Sequence, residues 1–236
     1  MSNVATETDE FFNAWAIYRK VMVNNYMYHQ EIYQAVSALL TEQWQTKPFT
    51  LLDLGCGDAY FLAQSLKRTA IQHYKGFDLS APALLLASEN MAPLNCKTDL
   101  VNIDFMEGLA QLTERFDIIF TSFALHHLTL AEKAKFFHLA HNVLAEKGML
   151  VIIDTLREPN ETLPDYLDHY CHWIQKDWQQ LEEQELTAIY QHIRNNDIPE
   201  TVDVLSGLAV EAGFSTAFSL YQVFWHQLLT FKKKTC

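Results

Sequence analysis

Residues 51–61, Leu-Leu-Asp-Leu-Gly-Cys-Gly-Asp-Ala-Tyr-Phe, decide how this chain is read. The run from Phe49 to Leu54 has the length and apolarity of one buried strand. Gly55 and Gly57 then form a tight turn that opens into a helix near Asp58. Glycine suits such a turn because it accepts positive φ and lets a ligand lie directly on the backbone. Asp53, two residues ahead of the first glycine, fixes the charge of that ligand. A carboxylate repels a pyrophosphate and attracts an ammonium or sulfonium group. The dinucleotide fingerprint G-x-G-x-x-G also fails, since Tyr60 stands at its third glycine. The loop favours a cationic amino-acid end over a phosphate.

Strand and helix patterns alternate outward from this loop. Strand patterns fall at Phe49–Leu54, Tyr74–Leu79, Cys96–Ile103, Phe116–Ser122 and Met149–Asp154. Helical patterns fall at Tyr60–Thr69, Ala81–Met91, Met106–Leu112 and Ala131–Leu144, the last ended by Gly148. Five such units imply an α/β, doubly wound, mostly parallel sheet covered on both faces. A helix at Val202–Ala212 and two strands, Thr216–Tyr221 and Val223–Phe231, close the chain as an antiparallel hairpin, giving seven strands with a reversed terminal one. Two helical segments lie outside the alternation. Residues 10–45 carry Phe11, Phe12, Trp15, Tyr18, Tyr26, Tyr28 and Tyr33, and residues 160–198 carry a second aromatic series. The expectation is one domain over 1–236, with a donor-binding core at 49–155, an inserted lid at 160–198 and a final helix and hairpin at 202–231.

The 236 residues are 49% hydrophobic and 19% charged, the balance of a globular chain and not of a disordered one. A net charge of −12 argues against a nucleic-acid partner, whose affinity rests on Lys and Arg neutralising phosphates. The basic run Lys232–Lys234 reads as a solvated tail. Cys56, Cys96, Cys171 and Cys236 form no disulfide framework, which suits a reducing compartment. Residues 1–10 are polar and acidic, unlike a signal peptide, and no apolar run reaches the roughly 20 residues that span a bilayer. A cytoplasmic protein without a membrane partner is expected.

In such a sheet ligands bind beyond the carboxyl ends of the strands, where the strand order reverses. Those ends carry Asp53 with Gly55–Ala59, then Asp78 in Gly-Phe-Asp-Leu-Ser, then Asp104-Phe105, then Thr121–His127. A lone carboxylate after the second strand accepts hydrogen bonds from ribose hydroxyls. Asp104 and Phe105 offer an acceptor for an exocyclic amine and a ring to cover a base, although Asp is also a preferred helix cap. The row suits a nucleoside at one end and a positively charged amino acid at the other.

On these residues the chain resembles the class I S-adenosylmethionine-dependent methyltransferases of small-molecule type, over about residues 49–155 plus the terminal hairpin. Leu-Asp-Leu-Gly-Cys-Gly is similar to the first motif of that family, Phe-Asp-Leu-Ser to its ribose-binding acid, and Phe-Asp-Ile-Ile-Phe with Ala-Leu-His-His-Leu to its fourth motif. The resemblance implies S-adenosylmethionine as cofactor, held by Asp53, Gly55, Cys56, Gly57, Asp78, Leu79, Asp104, Phe105 and Thr121. Ala59 replaces the last glycine of the usual G-x-G-x-G, which asks only that its φ stay negative.

Methyl transfer from a sulfonium is an in-line displacement that needs chiefly alignment, with a base only where the acceptor must lose a proton. His126 and His127, just after the fourth strand, are the candidate catalytic residues. The acceptor pocket falls to the helical segments: Tyr18, Asn25, Tyr26 and His29 from the first, His169, Tyr170, Trp173, His192 and Arg194 from the second, and Arg157 after the fifth strand. An arginine there favours an acceptor with a carboxylate or phosphate. No Cys or His spacing completes a zinc ligand set, so no metal is expected. The expected function is methyl transfer to an O or N atom of a small metabolite. An RNA or protein methyltransferase is the alternative, disfavoured by acidity and by Thr121-Ser122-Phe123-Ala124 where amino-group-methylating relatives carry Asn-Pro-Pro-Tyr. A non-catalytic donor-binding module and a nicotinamide oxidoreductase stand beyond it, the latter opposed by Asp53 and Tyr60.

Overall fold

The structure, a computed structural model, describes residues 16–234. The polar segment 1–10, the aromatic residues Phe11, Phe12 and Trp15, and Cys236 lie outside the described residues. Helix α1 is described over 16–23 and α2 spans His29–Trp44. The alternating core follows: β1 (Phe49–Leu54), α3 (Tyr60–Leu66), β2 (Ile71–Asp78), α4 (Ala81–Met91), β3 (Lys97–Asn102), α5 (Phe105–Gln111), β4 (Phe116–Ser122), α6 (Leu130–Val143) and β5 (Leu144–Thr155). A one-turn 3-10 helix, Leu125–His127, joins β4 to α6. Helices α7 (Leu163–Asp177) and α8 (Glu183–Asn196) precede α9 (Val202–Glu211), and the chain ends in β6 (Phe218–Val223) and β7 (His226–Lys232).

The strands form one sheet in the order β3-β2-β1-β4-β5-β7-β6. All neighbours from β3 to β5 are parallel, and β7 runs antiparallel to both β5 and β6. The reversed strand therefore sits inside the sheet, with β6 at its edge. The period-two alternation of a strand divides β1 between the two faces. Leu51 packs with Ile118, Phe120 and Val151 beneath α2, α3 and α4, while Leu52 and Leu54 pack with Ile119 and Ile152 beneath α5, α6 and α9. Each such side chain, fully buried, contributes about 1.5–3 kcal/mol. The strand order reverses between β1 and β4, which opens the crevice above the carboxyl ends of those two strands.

Caps fix where the helices begin. Ser80 accepts from Ala83 N ahead of α4, Asp104 caps α5, and Thr129 with Glu132 and Thr162 with Asp165 form capping boxes for α6 and α7. Helices α1, α7 and α8 meet over a separate apolar cluster, with Val21, Tyr166, Tyr170, Ile174, Trp178 and Ile193 buried in it. The ion pair of Lys20 and Glu185, 2.6 Å, ties α1 to α8. No helix among the described residues is long and apolar enough to cross a membrane.

Three sequence expectations are corrected. Gly148 does not end α6, which stops at Val143; β5 begins at once with Leu144, and Gly148 lies inside it, where an added Cβ would come 2.8 Å from Asp117 O. Lys232 ends β7, and Lys233 is bridged to Phe214 and pairs with Glu146 at 3.5 Å, so the basic run is no free tail. Ala59 has φ 53 and ψ 14, left-handed and not negative, because the chain must reverse between Gly57 and α3. A side chain in that region costs about 1–2 kcal/mol, against about 0.8 kcal/mol from burying its methyl group. Ala59→Gly is therefore expected to stabilise the fold by roughly 0.5 kcal/mol, seen as a rise in Tm of about 1–2 °C. A lower Tm would show that the buried methyl outweighs the strain.

Candidate functional site

The glycine loop is held on β2. Gly55 N and Cys56 N both donate to Phe77 O, at 2.9 and 3.0 Å, and Gly57 N donates to Asp78 Oδ2 at 2.8 Å. Gly55 and Gly57 have φ of 72° and 52°, the region glycine enters without strain. A Cβ on Gly55 would press on Ala124 Cβ at 3.0 Å, whereas a Cβ on Gly57 would point into open space. Asp78 Oδ1 accepts from Ser80 N at 2.8 Å, so each carboxylate oxygen takes one backbone donor and keeps a lone pair for another. Leu79, beyond it, is 71% exposed. Asp104 Oδ1 caps Met106 N and Glu107 N, and Phe105 approaches Gly55 from the far side. Asp53 is buried beneath the loop and accepts from Tyr74 Oη at 2.7 Å. Burial raises its pKa to about 7, opposed by the Tyr74 hydrogen bond and reinforced by Asp78. Cys56 is buried, which pushes its thiol pKa up. Thr121 is the exception in this group: its hydroxyl donates to Leu54 O at 2.9 Å, clamping β4 to β1, and the residue is fully buried, out of reach of the crevice.

The turn after β4 links this loop to a second chamber. Phe123 adopts φ 52, strained for an aromatic residue, and is held there by its N–H bond to Ile153 O at 2.8 Å. His126 is buried; its N–H donates to Asp154 Oδ2 at 2.9 Å and its Nδ1 donates to Asp154 Oδ1. His126 Nε2 faces Asp197 Oδ1 at 3.8 Å, and His127 Nδ1 lies 3.4 Å from the same oxygen. Burial works against charge on His126, but Asp154 and then Asp197 outweigh it and raise its pKa. His127, beside it, is pushed down to about 4 by burial and by His126. Burial raises the pKa of Asp197, with His126 opposing.

A cavity of about 490 Å³ opens here. Tyr18, Phe123, Tyr170, Trp178, Ile189 and Ile193 give it apolar walls, and His126, His127, Thr155, His192 and Asp197 line it with polar groups. Of the acceptor candidates, the fold brings Tyr18, Tyr170 and His192 to this cavity, and the others lie elsewhere. Arg157 spends its guanidinium on Pro199 O, Glu161 O and Glu200 Oε2, so it is unavailable to an acidic acceptor. Arg194 pairs with Asp168 at 2.8 Å on the exposed face of α8, and His169 pairs with Glu161 on the surface of α7. Tyr26 stacks on Trp178 at 5.1 Å and accepts from Gln180 N, while Asn25 holds the α1–α2 turn by bonds with Glu31 and Gln30 N. Trp173 is enclosed by the rings of Tyr28, Tyr170, Trp178, Trp225 and His226. His29 is buried behind the cavity against Phe61 and Phe123, with neither ring nitrogen hydrogen-bonded and its pKa lowered to about 4 by burial.

The chain matches the family model of a methyltransferase domain over residues 51–148. An uncharacterized methyltransferase of Staphylococcus carnosus (strain TM300) is 26% identical over 204 residues, covering 83% of this chain and 92% of that one. Among solved structures, DhpI in complex with S-adenosylhomocysteine superposes with a TM-score of 0.59 at 12% identity, covering 93% of this chain and 95% of that one. An O-methyltransferase family protein from Burkholderia thailandensis superposes with a TM-score of 0.63 at 14% identity, covering 87% of this chain. This chain spans 56% of the length of that protein. These likenesses support a class I S-adenosylmethionine-dependent methyltransferase.

The raised pKa of Asp53 predicts a pH dependence for any cationic ligand bound above the glycine loop. A cation placed above Asp53 favours its ionised form, so binding below pH 7 must release a proton. Affinity for S-adenosylmethionine is expected to be flat above pH 8 and about tenfold weaker at pH 6 by calorimetric titration. Asp53→Asn should abolish that slope; an unchanged slope would remove Asp53 from the donor site. Two residues of the site are absent from the motifs of the sequence. Asp154 ends a strand, as Asp53 and Asp78 do, and the same rule finds it. Asp197 follows α8 with no motif around it, and only the folded chain brings it to His126.

Proposed function

We propose that this methyltransferase moves the methyl group of S-adenosylmethionine to a hydroxyl oxygen of a small, largely apolar metabolite. The cavity beside the glycine loop carries this reading. It shares the Phe123–Ala124 turn with the donor loop, its walls are aromatic and aliphatic, and its polar groups gather around His126 and Asp197. An apolar acceptor fills such walls, and its hydroxyl meets the polar end, where imidazole and carboxylate accept the proton it must lose. Aromatic walls also exclude water from the sulfonium. The occupied guanidinium groups of Arg157 and Arg194 speak against a carboxylate or phosphate on the acceptor. The likeness to an O-methyltransferase family protein supports oxygen as the methylated atom. We take Asp53, Gly55, Cys56, Gly57, Asp78, Leu79, Asp104 and Phe105 to hold the donor, within one domain whose helical segments close over it. The free thiols of Cys56, Cys96 and Cys171 favour a reducing, cytoplasmic setting.

The test is transfer of label from methyl-labelled S-adenosylmethionine to a panel of apolar phenols and alcohols, matched amines and carboxylic acids, bulk tRNA and protein extract. Label is expected in the phenols or alcohols. Label confined to tRNA or protein, or none despite donor binding, would overturn the proposal.

A further inference from the structure

His126, His127 and Asp197 present three ligand-type atoms that all lie within 4.8 Å of one another. Zinc-to-nitrogen and zinc-to-carboxylate bonds of about 2.0–2.1 Å at tetrahedral angles set neighbouring ligand atoms roughly 3.3 Å apart. The observed separations, 3.4 Å from His127 Nδ1 to Asp197 Oδ1 and 3.8 Å from His126 Nε2 to the same oxygen, approach that spacing. Asp197 Oδ1 accepts no hydrogen bond from either ring, and the other contact of His127 Nδ1 is a long 3.5 Å approach to Asn196 O. Asp197 is more than nine-tenths buried, yet its Oδ1 has no hydrogen-bond partner. A buried, unbonded carboxylate oxygen costs about 1–3 kcal/mol or more, so something is expected to fill its place.

His126 supplies the second observation. Its Nδ1 donates to Asp154, which leaves the Nε2 lone pair aimed at Asp197. Two acceptors aimed at each other are reconciled by a proton or a metal ion between them, and 3.8 Å is long for a hydrogen bond. An imidazole anchored through its far nitrogen by a carboxylate is also how proteins orient histidine ligands to metals. Ile198 N donates to His126 O at 2.7 Å, locking the segment that carries Asp197 to the turn that carries both histidines.

We propose that His126 Nε2, His127 Nδ1 and Asp197 Oδ1 form a binding site for a divalent transition-metal ion, with zinc the best fit. Two imidazoles and one carboxylate suit zinc or a neighbouring late divalent ion, whereas magnesium and calcium prefer all-oxygen sets. Three protein ligands leave a coordination position open, and all three residues line the acceptor cavity. In the reading proposed above, on which this role rests, the open position would receive the acceptor hydroxyl and lower its pKa, its proton leaving to His192 on the cavity wall or to water while the three ligands hold the metal in place of acting as the base. The sequence hid the site because Asp197 lies 70 positions beyond His127 in the chain, outside any local ligand spacing.

The test uses the full chain, stripped with a chelator and titrated with cobalt(II) as the spectroscopic probe and with zinc by calorimetry. One equivalent is expected to bind, with a ligand-field spectrum of low coordination number. Asp197→Asn and His127→Gln should each weaken binding by about 100-fold, at least the loss seen on removing a supporting partner. His138→Gln, on the exposed face of α6, should leave it unchanged. Thermal melts of the stripped variants establish that each remains folded. No stoichiometric binding, or binding indifferent to both ligand substitutions, would overturn the proposal. Transfer to apolar hydroxyls that survives chelation in a protein that binds no metal would overturn the site and leave the proposed function standing. Tight metal binding without such transfer would do the reverse.

Discussion

Asp78→Ala is expected to weaken S-adenosylmethionine binding by about 3 kcal/mol, roughly 150-fold in Kd. Two losses add. The ribose hydroxyls lose a charged acceptor, and hydrogen bonds to charged groups are each worth about 1.5–3 kcal/mol. The glycine loop also loses its anchor, because Asp78 Oδ2 accepts from Gly57 N and Oδ1 from Ser80 N at the start of α4. Asp78→Asn keeps one carbonyl acceptor and should lose less, roughly tenfold. Titration with S-adenosylhomocysteine separates the contributions, since it carries the same ribose and lacks the sulfonium charge. Equal losses for both ligands are expected; an unchanged Kd for either would remove Asp78 from the donor site.

The second large effect is on stability and comes from Lys133→Met. Lys133 is almost wholly buried on α6, and its Nζ donates to Leu128 O and Ile198 O, both at 2.5 Å, with Glu200 at 3.8 Å. Methionine keeps the volume, so no cavity forms, but two part-buried carbonyls lose their donor at about 1–3 kcal/mol each. A net loss of about 3 kcal/mol, or roughly 9 °C in Tm, is expected. Donor affinity should hardly change, because the glycine loop is built on β1 and β2. The segment that carries Asp197 should loosen, since Ile198 is one of the two residues released. A Tm within about 2 °C of the parent would show that the ammonium group merely fills space.

The glycine-loop half of this molecule was legible in the sequence because its signals are local. A strand end, two glycines and a carboxylate within five residues are covalently bound to stay together, and parallel topology then aligns the next strand ends beside them. Asp78 at the end of β2 shows this, standing one hydrogen bond from Gly57. Thr121 shows the limit: its position at a strand end was correct, but its hydroxyl turned inward to Leu54. Ala59 shows another, since composition does not reveal that the chain reverses there through positive φ.

The acceptor half was read poorly because its residues come from segments whose mutual placement is decided by packing. Arginines and aromatics in α7 and α8 carry the right chemistry, yet Arg157 and Arg194 closed on neighbouring acids and Trp173 on other rings. The sequence by itself determined the sheet, its reversed strand and the glycine loop, through hydrophobic period and short-range spacing. Only the tertiary structure decided the cavity and the meeting of His126, His127 and Asp197, because that meeting depends on long-range contacts such as Ile198 N to His126 O, which no local pattern encodes.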